Sequence, residues 1–194
     1  ADQAEQFMRS RRSIRTYQDK PVPRNILTRL ITLASYAPSG HNDQPVHWLV
    51  MEDQQEVQKL AGLVVDFMKQ LVEANEPIAV NFGMDRIIAA WGEGMDAICR
   101  HAPHLIVAHA PKDNPLAPSS GTIALTWLEL AAHSLGLGAC WAGFVNAAAT
   151  FYPPMLKALA LPSGHQCLGV MMIGYPKYKY QRLPLRNVPR ITWR

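Results

Sequence analysis

Short apolar runs typical of buried strands alternate irregularly with helical stretches along this chain, and this order constrains the fold most. The runs that predict strands are Val46–Met51, His104–Ala110, Ala139–Trp141 and Cys167–Gly174. The spacing of apolar residues between them predicts helices, but not in a strict repeat of one strand and one helix. Several helices around a small mixed sheet therefore fit the sequence better than a doubly wound sheet.

The predicted helices differ in clarity. They cover residues 3–10, Pro23–Ala34, Val57–Leu71, Thr122–Leu135 and Pro153–Leu159. Pro111–Ser120 reads as a loop because it is rich in proline and serine. Residues 73–94 mix apolar residues with glycine and asparagine, and we interpret them as a mobile or substrate-covering segment. No repeat or linker divides the chain, so we expect a single domain over residues 1–194.

Composition indicates a folded globular protein, because 48% of the 194 residues are hydrophobic and only 18% are charged. No apolar run is long enough to span a bilayer, and the N-terminal residues lack the apolar core of a secretory signal. Cys99, Cys140 and Cys167 are odd in number and widely spaced. We interpret them as buried thiols in a reducing compartment, and we expect a cytoplasmic location.

Basic residues concentrate at both ends of the chain, whose formal net charge is +4. The two groups are Arg11, Arg12 and Arg15 at one end and Lys177, Lys179, Arg182, Arg186, Arg190 and Arg194 at the other. A basic surface suits nucleic acid, an anionic membrane or a phosphorylated small molecule. If the fold brings the ends together, they form one anion-binding site.

The first segment that suggests a binding site is Arg11–Arg15, with the sequence RRSIR. Guanidinium groups bind phosphate oxygens bidentately, and a serine hydroxyl adds a short hydrogen bond. Alternate side chains of an extended stretch share a face, so Arg11, Ser13 and Arg15 can converge on one phosphate. A solvated basic surface or a nucleic-acid patch is the alternative interpretation.

The second segment is the loop Ala37–Pro45, with the sequence APSGHNDQP, between a predicted helix and a predicted strand. Its amide and hydroxyl groups offer the donors and acceptors that the polar edge of a flat ring requires. Ordinary turn chemistry, with Ser39 and Asn42 capping backbone groups, is the alternative.

The third segment is Leu135–Phe144, with the sequence LGLGACWAGF. A dinucleotide fingerprint requires a strand before its glycines and a helix after them, and here that order is reversed, so we reject it. Glycine and alanine instead allow the backbone to approach a planar ligand closely. Alternatively, Gly136 and Gly138 only end the preceding helix.

Together with the tail sequence GYPKYKYQRLPLR, these segments resemble the nitroreductase family of FMN-dependent oxidoreductases over nearly the whole chain. The resemblance implies an α+β sandwich, in which helices surround a small, mostly antiparallel sheet. It also implies an intertwined homodimer with FMN at the subunit interface.

The same resemblance assigns the FMN-binding residues. The phosphate and ribityl chain are assigned to Arg11, Arg12, Ser13 and Arg15, and Arg186, helped by Arg182, is assigned to the phosphate. The flavin is assigned, largely from the other subunit, to Pro38, Ser39, Asn42 and Gln44. The isoalloxazine ring is assigned to Cys140, Trp141, Ala142 and Gly143, where a backbone N–H faces N5. Many members have glutamate at the position of Ala142, so any role of that side chain is absent here.

The function that the resemblance implies is electron transfer from NADH or NADPH through the flavin to a small organic acceptor such as a nitroaromatic or quinone. We expect ping-pong kinetics, no catalytic side chain and no metal site, because FMN itself carries out the redox chemistry. We expect neither a nucleic-acid nor a membrane partner. Two alternatives stay open: a specialised flavin enzyme (a reductive dehalogenase or a flavin-fragmenting enzyme), or a non-catalytic module that stores or senses FMN.

Overall fold

The computed structural model describes all 194 residues of the chain as eight α-helices and four strands. The helices are α1 (Asp2–Ser10), α2 (Arg24–Ala34), α3 (Gln54–Glu73), α4 (Pro77–Asn81), α5 (Met84–Gly92), α6 (Ala117–Ser134), α7 (Gly143–Phe151) and α8 (Pro153–Leu159). The strands are β1 (His47–Met51), β2 (His104–Pro111), β3 (Gly138–Trp141) and β4 (His165–Gly174). None of the helices has the length and apolarity required to cross a bilayer.

The four strands form one sheet in the order β1-β2-β4-β3, and every ladder between them is antiparallel. The only parallel pairing is an isolated bridge between Ser13 and Ala139, beside the edge strand β3. The mixed sheet inferred from element order was therefore wrong, whereas the α+β architecture with a mostly antiparallel sheet is confirmed.

The sheet separates two apolar cores because successive residues of a strand point to opposite faces. On β2, Leu105 and Val107 belong to one core while Ile106 and Ala108 belong to the other. Helices α2 and α6 cover the second face, and α3, α7 and α8 contribute to the core on the first. Because both faces are covered, the strands read as continuous apolar runs in the sequence.

Three segments differ from the sequence-based expectation. Helix α6 begins at Ala117, five residues before the predicted start, and so includes part of the predicted loop. Residues 143–151, for which no helix was predicted, form α7. Residues 73–94 are mostly helical, as the end of α3 followed by α4 and α5.

Three histidines on adjacent strands form a cluster at one end of the sheet. The rings of His47, His109 and His165 lie with centroids 5.0–5.5 Å apart, and the Nδ1 atoms of His109 and His165 are 2.9 Å apart. Burial lowers the pKa of His109 to about 4, with contributions from His165 and His47. The fold therefore favours the neutral imidazole of His109.

Stability is expected to fall in mild acid, and His109→Gln is expected to reduce that fall. Because the pKa of His109 is lower in the folded chain than in the unfolded chain, its contribution is fully present above about pH 6.5 and is lost as the pH falls toward 4. Thermal unfolding at pH 7 and pH 4 measures this difference. His41→Asn, in an exposed loop, is the control and should lose as much stability as the unmodified protein. An equal loss in His109→Gln would contradict the assignment.

Candidate functional site

Backbone pairing fixes the arginine segment against strand β3 and the C-terminal stretch. The N–H of Ile14 donates to the carbonyl of Ala139 at 2.9 Å, next to the Ser13–Ala139 bridge. Further along, the N–H of Lys177 donates to the carbonyl of Thr16 at 3.0 Å. The two ends of the chain therefore meet, as the basic residues at both ends suggested.

A basic cleft of about 700 Å³ lies where these ends meet, and we define it by Arg11, Arg12, Glu129, Lys177 and Lys179. The guanidinium of Arg11 pairs with the carboxylate of Glu129 at 2.6 Å. The guanidinium of Arg12 lies 4.3 Å above the ring centroid of Tyr180 and pairs with no carboxylate. Because Arg12 and both lysines have no acidic partner, the cleft is suited to an anion.

Glu129 is buried on α6, and its burial raises the pKa of the carboxyl even though Arg11 lowers it. Burial lowers the pKa of His133, and the positive charge of Arg11 lowers it further. The Nε2 atom of His133 lies 2.9 Å from the hydroxyl of Ser10. These contacts hold Arg11 in place through α6. Arg12 is therefore the arginine of the cleft whose positive charge has no carboxylate partner.

An apolar cavity of about 700 Å³ lies on the opposite face of β3, where 15 of its 18 lining residues are hydrophobic. Helices α3, α4 and α5 contribute much of this lining, including Phe67, Ile78 and Met84. Arg15 and Arg100 are the charged residues that line it. The cavity is therefore suited to a flat apolar molecule, with positive charge at its edge.

The segment Cys140–Gly143 borders this cavity through Cys140, Trp141 and Gly143. The N–H of Ala142 donates to the carbonyl of Val170 at 2.8 Å, so it is not available to a ligand. The N–H groups of Gly143 and Phe144 begin α7 without a protein acceptor, and no side chain caps this helix. Of this segment, Gly143 therefore offers a free backbone donor at the cavity.

The cysteine in this segment is a protonated thiol at neutral pH. Burial raises the pKa of Cys140, although the positive charges of Arg15 and Arg100 lower it in part. Trp141 is 37% exposed, so part of its ring faces solvent beside the cavity.

The loop residues form a separate feature, which we call the loop cleft. This cleft lies between α2 and β1 and has a volume of about 390 Å³. It is lined by residues that include Pro38, Ser39 and Gln44. The hydroxyl of Ser39 accepts a hydrogen bond from the N–H of Gln44 at 3.0 Å, and Asn42 has a left-handed backbone (φ 56°). Within one chain, these residues line neither the basic cleft nor the apolar cavity.

The remaining basic residues are distributed differently from the expectation. Arg11 lines the basic cleft and Arg15 lines the apolar cavity, so they do not converge on one point as strict alternation suggested. Arg182 and Arg186 are exposed and line neither site. Arg11 and Arg15 lie apart because Glu129 holds the Arg11 side chain toward α6. The chain meanwhile continues past the edge strand β3 after the bridge between Ser13 and Ala139.

Sequence reasoning missed three residues of these sites: Glu129, Tyr180 and Arg100. Glu129 stands as a lone acidic residue in an apolar helix, which is a signal for a buried ion pair. Tyr180 lies between basic residues of the tail, a setting that favours contact with an arginine. Arg100 has no comparable signal in the sequence.

Comparison with known proteins identifies the family. The model of the nitroreductase family matches residues 8–175. The chain belongs to the nitroreductase family. This family member is 30% identical to an NADH dehydrogenase from Thermus thermophilus, over 95% of this chain and 92% of the relative. It is 26% identical to an iodotyrosine deiodinase from Thermotoga neapolitana, over 90% of each chain.

The fold of this nitroreductase-family chain also matches solved structures. A nitroreductase with bound FMN from Desulfitobacterium hafniense superposes with a TM-score of 0.77 at 22% identity, covering 100% of this chain and 98% of the other. This likeness supports the same α+β architecture.

Proposed function

We propose that this nitroreductase-family chain binds FMN and passes electrons from NADH or NADPH to a small organic acceptor. The observation that carries the proposal is that a basic cleft and an apolar cavity lie on opposite faces of the same short strand, β3. The relatives are consistent with it, since one is named an NADH dehydrogenase and another is a nitroreductase with bound FMN.

The basic cleft fits the phosphate of FMN. Arg12, Lys177 and Lys179 lack acidic partners, and Arg11 adds a guanidinium that Glu129 holds in position. We assign the phosphate to this cleft, with Arg12 as its main ligand. Arg182 and Arg186 are proposed to approach the same phosphate from the tail.

The apolar cavity fits the isoalloxazine ring. Ser13 lies beside β3 between the two sites, so we assign its hydroxyl to the ribityl chain. Cys140, Trp141 and Gly143 border the ring, with Arg15 at its edge. Because the N–H of Ala142 is already bonded within the protein, we assign the donor that faces N5 to Gly143.

Bound FMN supplies the redox centre, and the residues of the chain orient it and stabilise charge. The free N–H groups at the start of α7 place partial positive charge beside the ring, where negative charge develops on reduction. Arg15 adds a full positive charge at the same cavity. The apolar walls exclude water and strengthen both interactions.

A second copy of the chain is proposed to complete the site. Pro38, Ser39, Asn42 and Gln44 line neither site in one chain, so we assign them to the flavin of the partner. The tail residues Leu185 and Val188 are 97% and 87% exposed, which supports packing of the tail on another copy. Residues 1–194 then act as one FMN-binding domain in a cytoplasmic homodimer.

The test is anaerobic reduction of the purified protein. We expect a yellow protein that retains FMN, loses its visible absorbance when NADH or NADPH is added, and regains it when a quinone or nitroaromatic follows. Heat-released cofactor is identified by chromatography. A colourless protein that takes up no added FMN, or a flavoprotein that neither nicotinamide bleaches, would sink the proposal.

Reductive dehalogenation is the second candidate, because a curated relative is an iodotyrosine deiodinase. The apolar cavity is suited to a halogenated aromatic ring as well as to a nitroaromatic ring. Incubation of the reduced protein with 3-iodotyrosine, followed by iodide measurement, separates the two functions. Iodide release faster than nitroaromatic reduction would favour the deiodinase.

A further inference from the structure

Arg100 places an unassigned positive charge at the edge of the apolar cavity. It precedes β2 with a left-handed backbone (φ 59°), a conformation that is uncommon for a residue other than glycine. Its side chain is exposed and pairs with no carboxylate. The cavity has no acidic lining residue, so this charge is available to a ligand.

The turn that carries Arg100 is built around a buried carboxylate. Oδ1 of Asp96 accepts the N–H groups of Ile98 and Cys99 at 2.9 and 2.8 Å, and Oδ2 accepts the N–H of His101 at 2.9 Å. Asp96 is only 6% exposed and is directed into its own turn. The nearest acidic residue in the sequence therefore fixes the backbone around Arg100 and leaves the guanidinium unpaired.

The positive charge of Arg100 acts on groups at the cavity. Burial raises the pKa of both Cys140 and Tyr17, and the positive charge of Arg100 opposes part of that rise. Cys140 borders the cavity, so a ligand in contact with it lies within the field of Arg100. Arg15 contributes in the same direction but is assigned to FMN in the proposed function.

We propose that Arg100 binds an anionic group on the acceptor, so that the cavity selects flat apolar acceptors that carry a carboxylate or sulfonate. This inference rests on the proposed function for the identity of the site. The apolar walls bind the ring of such a molecule, and Arg100 at the rim neutralises its charge without requiring deep desolvation of the anion. Neutral analogues of the same shape lose that contact.

The experiment compares 4-nitrobenzoate with 4-nitrobenzamide on the FMN-loaded protein. Arg100→Gln is expected to raise the KM for the carboxylate about fivefold, as for an exposed charge pair, and to change the KM for the amide by less than about twofold. Arg100→Lys should retain most of the preference. Arg86→Gln removes an exposed arginine that does not line the cavity and should leave both values unchanged.

Equilibrium binding separates this inference from the proposed function. Without a nicotinamide the nitro compounds are not reduced, so calorimetry measures their dissociation constants directly. We expect the same fivefold, carboxylate-specific loss in Arg100→Gln. Equal losses for both compounds, or no loss for either, would overturn the role of Arg100. Charge-selective binding without turnover would instead count against the proposed reaction alone.

Discussion

Arg12→Ala is expected to weaken FMN binding roughly 10- to 100-fold, because a hydrogen-bonded charge is worth about 1.5–3 kcal/mol. Arg11 already pairs with Glu129, whereas Arg12 has only the ring of Tyr180 as a partner. The loss of Arg12 therefore removes the uncompensated guanidinium of the basic cleft. Titration of the flavin-free protein with FMN, followed by flavin fluorescence, measures the change.

Riboflavin provides the internal control for Arg12→Ala, since it has the same ring and ribityl chain without the phosphate. Its affinity should change by less than about twofold, because the lost contact is to the phosphate. Arg9→Ala removes an equal charge from α1, where Arg9 pairs with Glu5 outside the cleft, and should bind FMN normally. Equal weakening of FMN and riboflavin would show that Arg12 supports the structure and does not bind the phosphate.

The fold was largely predictable because its strands are buried on both faces and read as unbroken apolar runs. Helix α6 was predicted too short because Pro118 and Ser119 resemble a loop. Proline is accepted in the first turn of a helix, and Gly121, one turn later, is needed because a Cβ would lie 2.7 Å from the Cβ of Leu168. Such tertiary packing is not visible in local sequence.

The candidate site was predictable only as a set of residue types. The phosphate-binding chemistry of Arg11 and Arg12 follows from the guanidinium group, but the pairing of Arg11 with Glu129 joins residues 118 positions apart. Arg100 was missed because the local sequence indicates only the turn at Asp96 and does not indicate that the arginine lines the apolar cavity. Long-range contacts thus decided which of the predicted arginines retain a free charge.

At the end of α6, the interpretation that Gly136 and Gly138 end the helix holds for the first glycine and fails for the second. Gly136 has φ 71° and, with Leu137 donating to the carbonyl of Ala132 at 2.8 Å, ends the helix as glycine commonly does. Gly138 is required for a different reason. It lies on β3, where a Cβ would come within 2.7 Å of both Cβ and Cγ2 of Ile14.

Gly138→Ala is therefore expected to destabilise the protein by about 1–3 kcal/mol and to weaken FMN binding as well. Ile14 is stiff at its branched Cβ and its N–H is bonded to Ala139, so it cannot yield without moving the arginine segment. Denaturant unfolding of the flavin-free protein measures the first effect, and FMN titration measures the second. Gly62→Ala, within α3, is the matched control, because its Cβ would lie 3.8 Å from Trp91 and alanine favours the helix.

The double variant Ile14→Ala/Gly138→Ala tests the cause of this destabilisation. If the clash with Ile14 is responsible, removal of the branched side chain makes room for the new Cβ. The two substitutions together should then cost about 0.5–3 kcal/mol less than the sum of the single variants. Strict additivity would show that the contact with Ile14 does not cause the destabilisation, and the arginine segment would then not depend on close contact with β3.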